Sequence, residues 1–368
     1  MKPIVLIGLQ PQSLALLQCF GRVRSDLHVF IDSRAGKCFE EFSRYGKKYY
    51  FFDMESLSDG LKRLQVKYVE KLDIFITCAY LLTEIRVDYR SIYDEYNVYS
   101  SPLSWVDLFS TKNKMYDYTR TFGVETMPYK VLTEYKHGDL KFPLILKRNV
   151  EFFLSFKTKL INNEEEFDAF VREMPDNPEY VIVQEQIKDS SQIDLALHAY
   201  VHKGEIMGSF VVKEVRHCPP GISTFLRELD KHTSEIITKI SKEFLSQTAF
   251  SGFVQIDYKY IVDTETPIIM DINTRTPASH SAFHTKFTNW KEFYACIPDK
   301  PCKLIPRENR ISWVNIIGDI RARFKEKNFK GLGNCIGASW DVFCMQDPLP
   351  FIMWPIIPTF YRIRNKFK

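Results

Sequence analysis

The stretch that decides the reading is SGFVQIDYKY, residues 251–260, followed after a polar turn by TPIIMDINTR, residues 266–275. Two apolar runs this close predict a β-hairpin with its turn centred on Thr264. Period-2 alternation then puts Val254, Ile256, Tyr258 and Tyr260 on one face with Ile268, Met270 and Ile272. The other face carries Gln255, Asp257 and Lys259 beside Asp271 and Asn273, with Asp257 directly across from Asp271. Two carboxylates facing each other across a ladder destabilise it by roughly 0.2–1 kcal/mol, which a cation between them would offset. Two carboxylates and an amide oxygen, with room left for phosphate and water oxygens, suit Mg²⁺ held against a nucleotide. Arg275 points at the same place. The alternative is an ordinary surface hairpin with a polar outer face.

The 368 residues allow two to three domains. Hydrophobic residues at 45% and charged ones at 26% describe a soluble globular chain, and a net charge of +4 gives no argument for nucleic acid. Eight cysteines without a C-x-x-C pair or framework spacing read as reduced thiols in a cytoplasmic protein. The start has no signal-peptide pattern, and no run approaches the ~20 apolar residues of a membrane span.

PIVLIGL, PQSLALLQCFGR and LHVFID read as strand, helix, strand. MESLSDGLKRLQVKYVE, DIFITC and YLLTEIRVDYRSIYDEY continue the alternation, predicting a doubly wound parallel sheet over about the first 110 residues. Its first turn, GLQPQS, lacks the glycines of a dinucleotide site, so Asp32 reads as a strand-end turn residue. From Thr111 the pattern becomes α+β. A helix stopped by Gly123 is followed by the strands KFPLILKR, TKLI and EYVIVQEQI. QIDLALHAYV and EIMGSFVVKEV then pair as a hairpin through HKG, and an amphipathic helix leads into the acidic hairpin.

Lys147 ends one strand and Glu185 another, followed by Gln186 and Ile187. A strand end of this kind offers backbone groups to an adenine edge. With the D…D-x-N-x-R hairpin, these features resemble the ATP-grasp superfamily. The resemblance is closest to the carboxylate–amine ligase branch that includes D-aspartate ligases and polysaccharide-locus relatives. FSRYGKKYY, KNKMYDYTRTFGVETMP, SFVVKEVRHCPPGIST and DPLPF carry it across the chain. It implies a Rossmann-like pre-ATP-grasp domain at residues 1–110 and an ATP-grasp lid subdomain at 111–190. The subdomain bearing the metal hairpin would span 191–310, and a C-terminal extension 311–368.

By that resemblance, Lys112 and Lys147 would contact nucleotide phosphates, and Glu185, Gln186 and Ile187 would hold adenine. Asp257, Asp271 and Asn273 would ligate Mg²⁺, and Arg275 would stabilise the transferring phosphoryl group of ATP. The implied reaction activates a small-molecule carboxylate as an acyl phosphate and joins it to an amine on a cell-wall or surface-polysaccharide precursor. Lys213 and Arg216 would grip the carboxylate or acyl phosphate, or else form a solvated basic edge. The resemblance leaves the oligomeric state open, with a homodimer as the form frequent among such ligases.

Three features depart from the pattern. The lid segment RNVEFFLSFK, residues 148–157, has no glycine, which leaves Lys157 or Ser155 to replace backbone donors and raises the alternative of a nucleotide-binding protein that no longer turns over. The motif reads DINTR rather than E-x-N-P-R. No ribose-binding acid is evident, and Gln192, with Asp194 beyond it, stands where one is expected. His280 and His284 are spaced i, i+4, which reads as a helix face lining the substrate pocket rather than zinc. LPFIMWPIIPTFY near the end is apolar and proline-broken, with Arg362, Arg364, Lys366 and Lys368 behind it. It suits a peripheral membrane contact, or a tail wrapped on its own domain or a partner subunit.

Overall fold

The continuous apolar runs near the start pack as parallel strands buried on both faces. Ile4–Ile7 lies at the centre, with Leu27–Asp32 and Lys47–Phe51 to one side and Asp73–Ile76 and Asn97–Tyr99 to the other. This computed structural model describes residues 2–366 except 9, 37, 151–155, 157, 174–176, 188–190, 220 and 298. Lys47–Phe51 is a strand that the sequence pattern does not announce. It is an edge strand, and its KKYYF run is half exposed. Asp32 is held by the Arg34 guanidinium at 2.7 Å and by the Arg34 backbone N–H, as a strand-end turn residue.

The helix Lys112–Arg120 then leads into a small antiparallel sheet. Its strand order is Tyr129–Val131, Val181–Glu185, Leu144–Arg148, Thr158–Ile161, and Leu144, Leu146, Phe167 and Val183 form its own core.

The main sheet has seven strands, ordered Thr266–Asn273, Gly252–Ile261, Gln192–His202, Glu205–His217, Ser223–Glu228, Ser312–Val314 and Ser339–Trp340. The last two lie beyond residue 310, in the stretch that the sequence reading assigns to a C-terminal extension. One face packs Leu195, Val211, Val254, Ile256 and Tyr258 against the helix Lys231–Leu245. The other packs Ala196, Val212, Phe210 and Phe253 on Phe283 and Tyr294, and merges with the N-terminal core at Leu6 and Phe20.

The decisive hairpin forms, with its turn at residues 262–265 and Asp257 paired with Asp271. One detail differs from the sequence expectation. The register shifts between Asp257 and Tyr258, which pairs with Ile269, so Met270 is the extra residue of a β-bulge. Ile269 and Ile272 are therefore the fully buried pair, and Ile268 and Met270 are not.

Candidate active site

The acidic rung of the hairpin is held from both sides. Gln255 donates to one Asp257 oxygen at 2.8 Å and the Asn273 amide to the other at 3.1 Å. Arg275 donates to Asn273 Oδ1 at 3.3 Å. Asp271 receives the Lys112 ammonium at 2.7 Å and the backbone N–H of Ile272 at 3.1 Å. Burial, then the nearby carboxylates of Glu214 and Asp271, push the Asp257 carboxyl up to about 7. Among the described residues no cation is ion-paired with Asp257, and the rung offers only hard oxygen ligands. That set fits Mg²⁺ together with phosphate oxygens.

The positive side of the site comes from three elements. Lys112 opens the helix Lys112–Arg120, and Arg275 follows the hairpin. Lys147 stands on Leu144–Arg148, where the inward Leu144 and Leu146 leave Ile145 and Lys147 on the opposite face. Burial first, and Lys112 next, push the Lys147 ammonium down to about 7. The negative charge of a bound phosphate would oppose both effects and favour the charged ammonium. Lys112, Lys147, Asp257, Asp271 and Arg275 line one cleft of about 890 Å³.

Glu185, Gln186, Ile187 and Gln192 gather at the end of the strand Val181–Glu185, outside the residues that line this cleft. The Glu185 carboxylate accepts the Lys141 N–H at 2.9 Å, and the Gln186 N–H is bonded to the Pro143 carbonyl at 3.0 Å. The Gln192 amide donates to the Ile187 carbonyl at 3.4 Å. Lys157 and Ser155 lie outside the described residues.

Lys213 and Arg216 are separated by the structure. Lys213 pairs with Leu195 and shares its face of the sheet, which packs on the helix Lys231–Leu245, so it does not line the cleft. This corrects its expected place at the substrate. Arg216 does line the cleft, but its guanidinium is ion-paired with the fully buried Asp319 and, at 3.4 Å, with Glu326. Asp319 also holds Arg323 at 2.6 Å.

Between Lys213 and the end of the strand the register shifts twice, and Glu214, Val215, Arg216 and His217 all face the cleft. A regular strand would send alternate residues away; bulges re-aim them. The result is a pair that sequence reading missed, His217 Nε2 and Glu214 Oε2 at 2.6 Å. The hydrogen bond to Glu214 raises the His217 imidazole. The i, i+3 spacing was visible in the sequence, but the bulges were not.

The histidines expected to line the pocket lie elsewhere. His280 is fully buried, with Nε2 at 2.6 Å from the Tyr294 hydroxyl, in the core of the sheet's other side. His284 sits in the short helix Ala282–Lys286 beside Trp290.

The architecture is that of the ATP-grasp fold, with a small antiparallel sheet and a large mixed sheet beside the cleft and a Rossmann-like unit before them. The chain is similar to N5-carboxyaminoimidazole ribonucleotide synthetase in its ADP complex, with a TM-score of 0.68 and 12% identity over 89% of this chain and 86% of that one. L-amino acid ligase from Bacillus licheniformis aligns with a TM-score of 0.61 and 13% identity, covering 82% and 75% of the two chains. The biotin carboxylase domain of Hydrogenobacter thermophilus 2-oxoglutarate carboxylase, solved with MgADP, ADP and bicarbonate, gives 0.64 and 10% over 85% and 74%. No family model and no curated protein sequence matches the chain.

Proposed function

We propose that this protein is a Mg-ATP-dependent carboxylate–amine ligase, releasing ADP and phosphate. The observation that carries the reading is the paired Asp257–Asp271 rung facing Lys112, Lys147 and Arg275 across one cleft of an ATP-grasp fold. Solved proteins of this fold include a ligase of amino acids and a domain bound to MgADP and bicarbonate, which supports the same chemistry here.

Asp257, Asp271 and Asn273 would hold Mg²⁺, which supplies charge neutralisation to the phosphates. Phosphoryl transfer asks mainly for positioning and electrostatic stabilisation. Lys112 and Lys147 would hold the phosphate oxygens, and Arg275 the charge that develops on the transferring group. Glu185, Gln186 and Ile187 would meet adenine, with Gln192 near the ribose.

The carboxylate oxygen of the first substrate takes the γ-phosphoryl group of ATP, and ADP leaves. The amine must be neutral to attack the resulting acyl phosphate. His217 is the group for that step. Its Nε2–H donates to Glu214, leaving Nδ1 to take the ammonium proton. The free amine then forms the C–N bond as the C–O bond to phosphate breaks. The carboxylate is proposed to be an amino acid, and the amine to sit on a cell-wall or surface-polysaccharide precursor, as the branch resemblance implies.

The test is phosphate release from Mg-ATP with pooled D- and L-amino acids and candidate amine acceptors, with Asp271→Ala as control. Release that needs an amino acid and disappears in the variant supports the ligase. ATP binding without release in any pool favours a nucleotide-binding protein that the glycine-free segment 148–157 has left without turnover.

A further inference from the structure

The C-terminal helix Leu349–Lys366 is apolar on two sides. Its inner side sets Phe351 5.7 Å from the Trp340 ring and Trp354 5.6 Å from Phe39. The segment therefore docks on its own fold, and the prolines expected to break it do not: the helix runs through Pro350, Pro355 and Pro358. Its outer side leaves Leu349, Ile352 and Ile356 about half exposed, spaced i, i+3 and i+7. A helix apolar on two sides can bury one against its own fold and leaves the other for a partner or lipid.

The segment just before this helix exposes further apolar side chains. Ile336, Phe343 and Met345 are exposed, at 84%, 42% and 79%, and together rim a cavity of about 590 Å³ beside the helix Pro11–Gly21. Arg22 also lines this cavity, its guanidinium 4.4 Å above the Trp290 ring. Exposed apolar side chains of this number within one C-terminal stretch mark an interaction surface rather than ordinary solvent contact.

Charge says what kind. Residues 311–368 hold nine Lys and Arg against four Asp and Glu, a net of +5, whereas the whole chain carries +4. The rest of the protein is thus slightly acidic, and the basic excess lies in the same C-terminal stretch of sequence as the exposed apolar side chains. Four of these basic residues, Arg362, Arg364, Lys366 and Lys368, end the chain.

Among the described residues no helix is long and apolar enough to cross a membrane. Pro355 and Pro358 also lack the N–H groups that the carbonyls of Phe351 and Trp354 would take in a regular helix. Such carbonyls are costly in hydrocarbon and are readily met by water and headgroups.

We propose that this face docks on an anionic membrane surface. Ile336, Phe343, Met345, Leu349, Ile352 and Ile356 would enter the headgroup boundary, and the net positive charge of residues 311–368 would favour anionic lipid. The inference does not depend on the ligase reading.

The test is flotation of the full-length protein with phosphatidylglycerol–phosphatidylcholine vesicles and with phosphatidylcholine alone. Binding is expected only with the anionic vesicles and should weaken as salt rises. Ile352→Glu with Ile356→Glu, on exposed side chains, should weaken it by about tenfold or more at an unchanged melting temperature. Arg362→Glu with Arg364→Glu should also weaken it, with the apolar surface left intact. Absence of flotation with anionic vesicles, or a double Ile variant that floats like the wild type, overturns the proposal. So does a wild-type dimer that ignores vesicles and becomes a monomer in the Ile variant, which would make the face a contact between copies of the chain.

Discussion

The two ends of the cleft treat charge in opposite ways. At the Arg216 end, the guanidinium meets Asp319 and Glu326, and Asp319 in turn holds Arg323, so cation and anion answer each other within the protein. At the hairpin end, Asp257 faces Asp271 with Lys112 on only one of them, and the Asp257 carboxyl is pushed up to about 7. Residue type alone makes both ends look like binding sites. Satisfied charge belongs to architecture, and a buried carboxylate with no ion-pair partner points to something the protein binds.

Asp257→Asn is the sharpest way to break this contrast. It should cost turnover several kcal/mol of transition-state stabilisation, on the order of 10³–10⁴-fold in kcat. The same variant should be more stable without ligands, because the raised carboxyl penalises the folded state once the pH exceeds the unfolded value. The gain should be about 1–3 kcal/mol at pH 8 and fade as pH falls toward 4, read by urea denaturation across pH. A variant that is both inactive and less stable at pH 8 would place the hairpin with the satisfied end.

Asp319→Ala probes the other end. It leaves the buried Arg323 without its carboxylate and Arg216 with Glu326 alone, so a loss of about 3–5 kcal/mol in unfolding free energy is expected. A loss below 1 kcal/mol would show that the network is not structural and return Arg216 to the substrate. The smallest effect belongs to Lys213→Met, on the far face of the strand. Stability should stay within about 0.5 kcal/mol and turnover should not change, since nothing the site uses is removed. A fall in kcat would contradict the observed register.

Much of the hairpin was legible because alternation and a short turn together fix which residues oppose, and Asp257 does pair with Asp271. The bulge at Met270 was not, since one extra residue in a ladder leaves no mark on an apolar run such as PIIM. The long runs of the N-terminal sheet read directly, whereas KKYYF at its edge, half in water, had no pattern to show. The partners of Arg216 stand 103 and 110 residues away, beyond any local periodicity. Glu214 and His217 were in view as residues but not as a pair, because two register shifts bring them together.

The bulge has a further consequence. Tyr116 donates to the Met270 carbonyl at 3.0 Å, pinning the extra residue where the hairpin changes alignment. Beyond it, residues 258–261 and 266–269 keep one register toward the turn, while 255–257 and 271–273 keep another toward the cleft. The ribbon therefore works as two coupled segments with a joint between them. A lengthened or altered turn can be absorbed on the outer segment, and the acidic rung stays where it is.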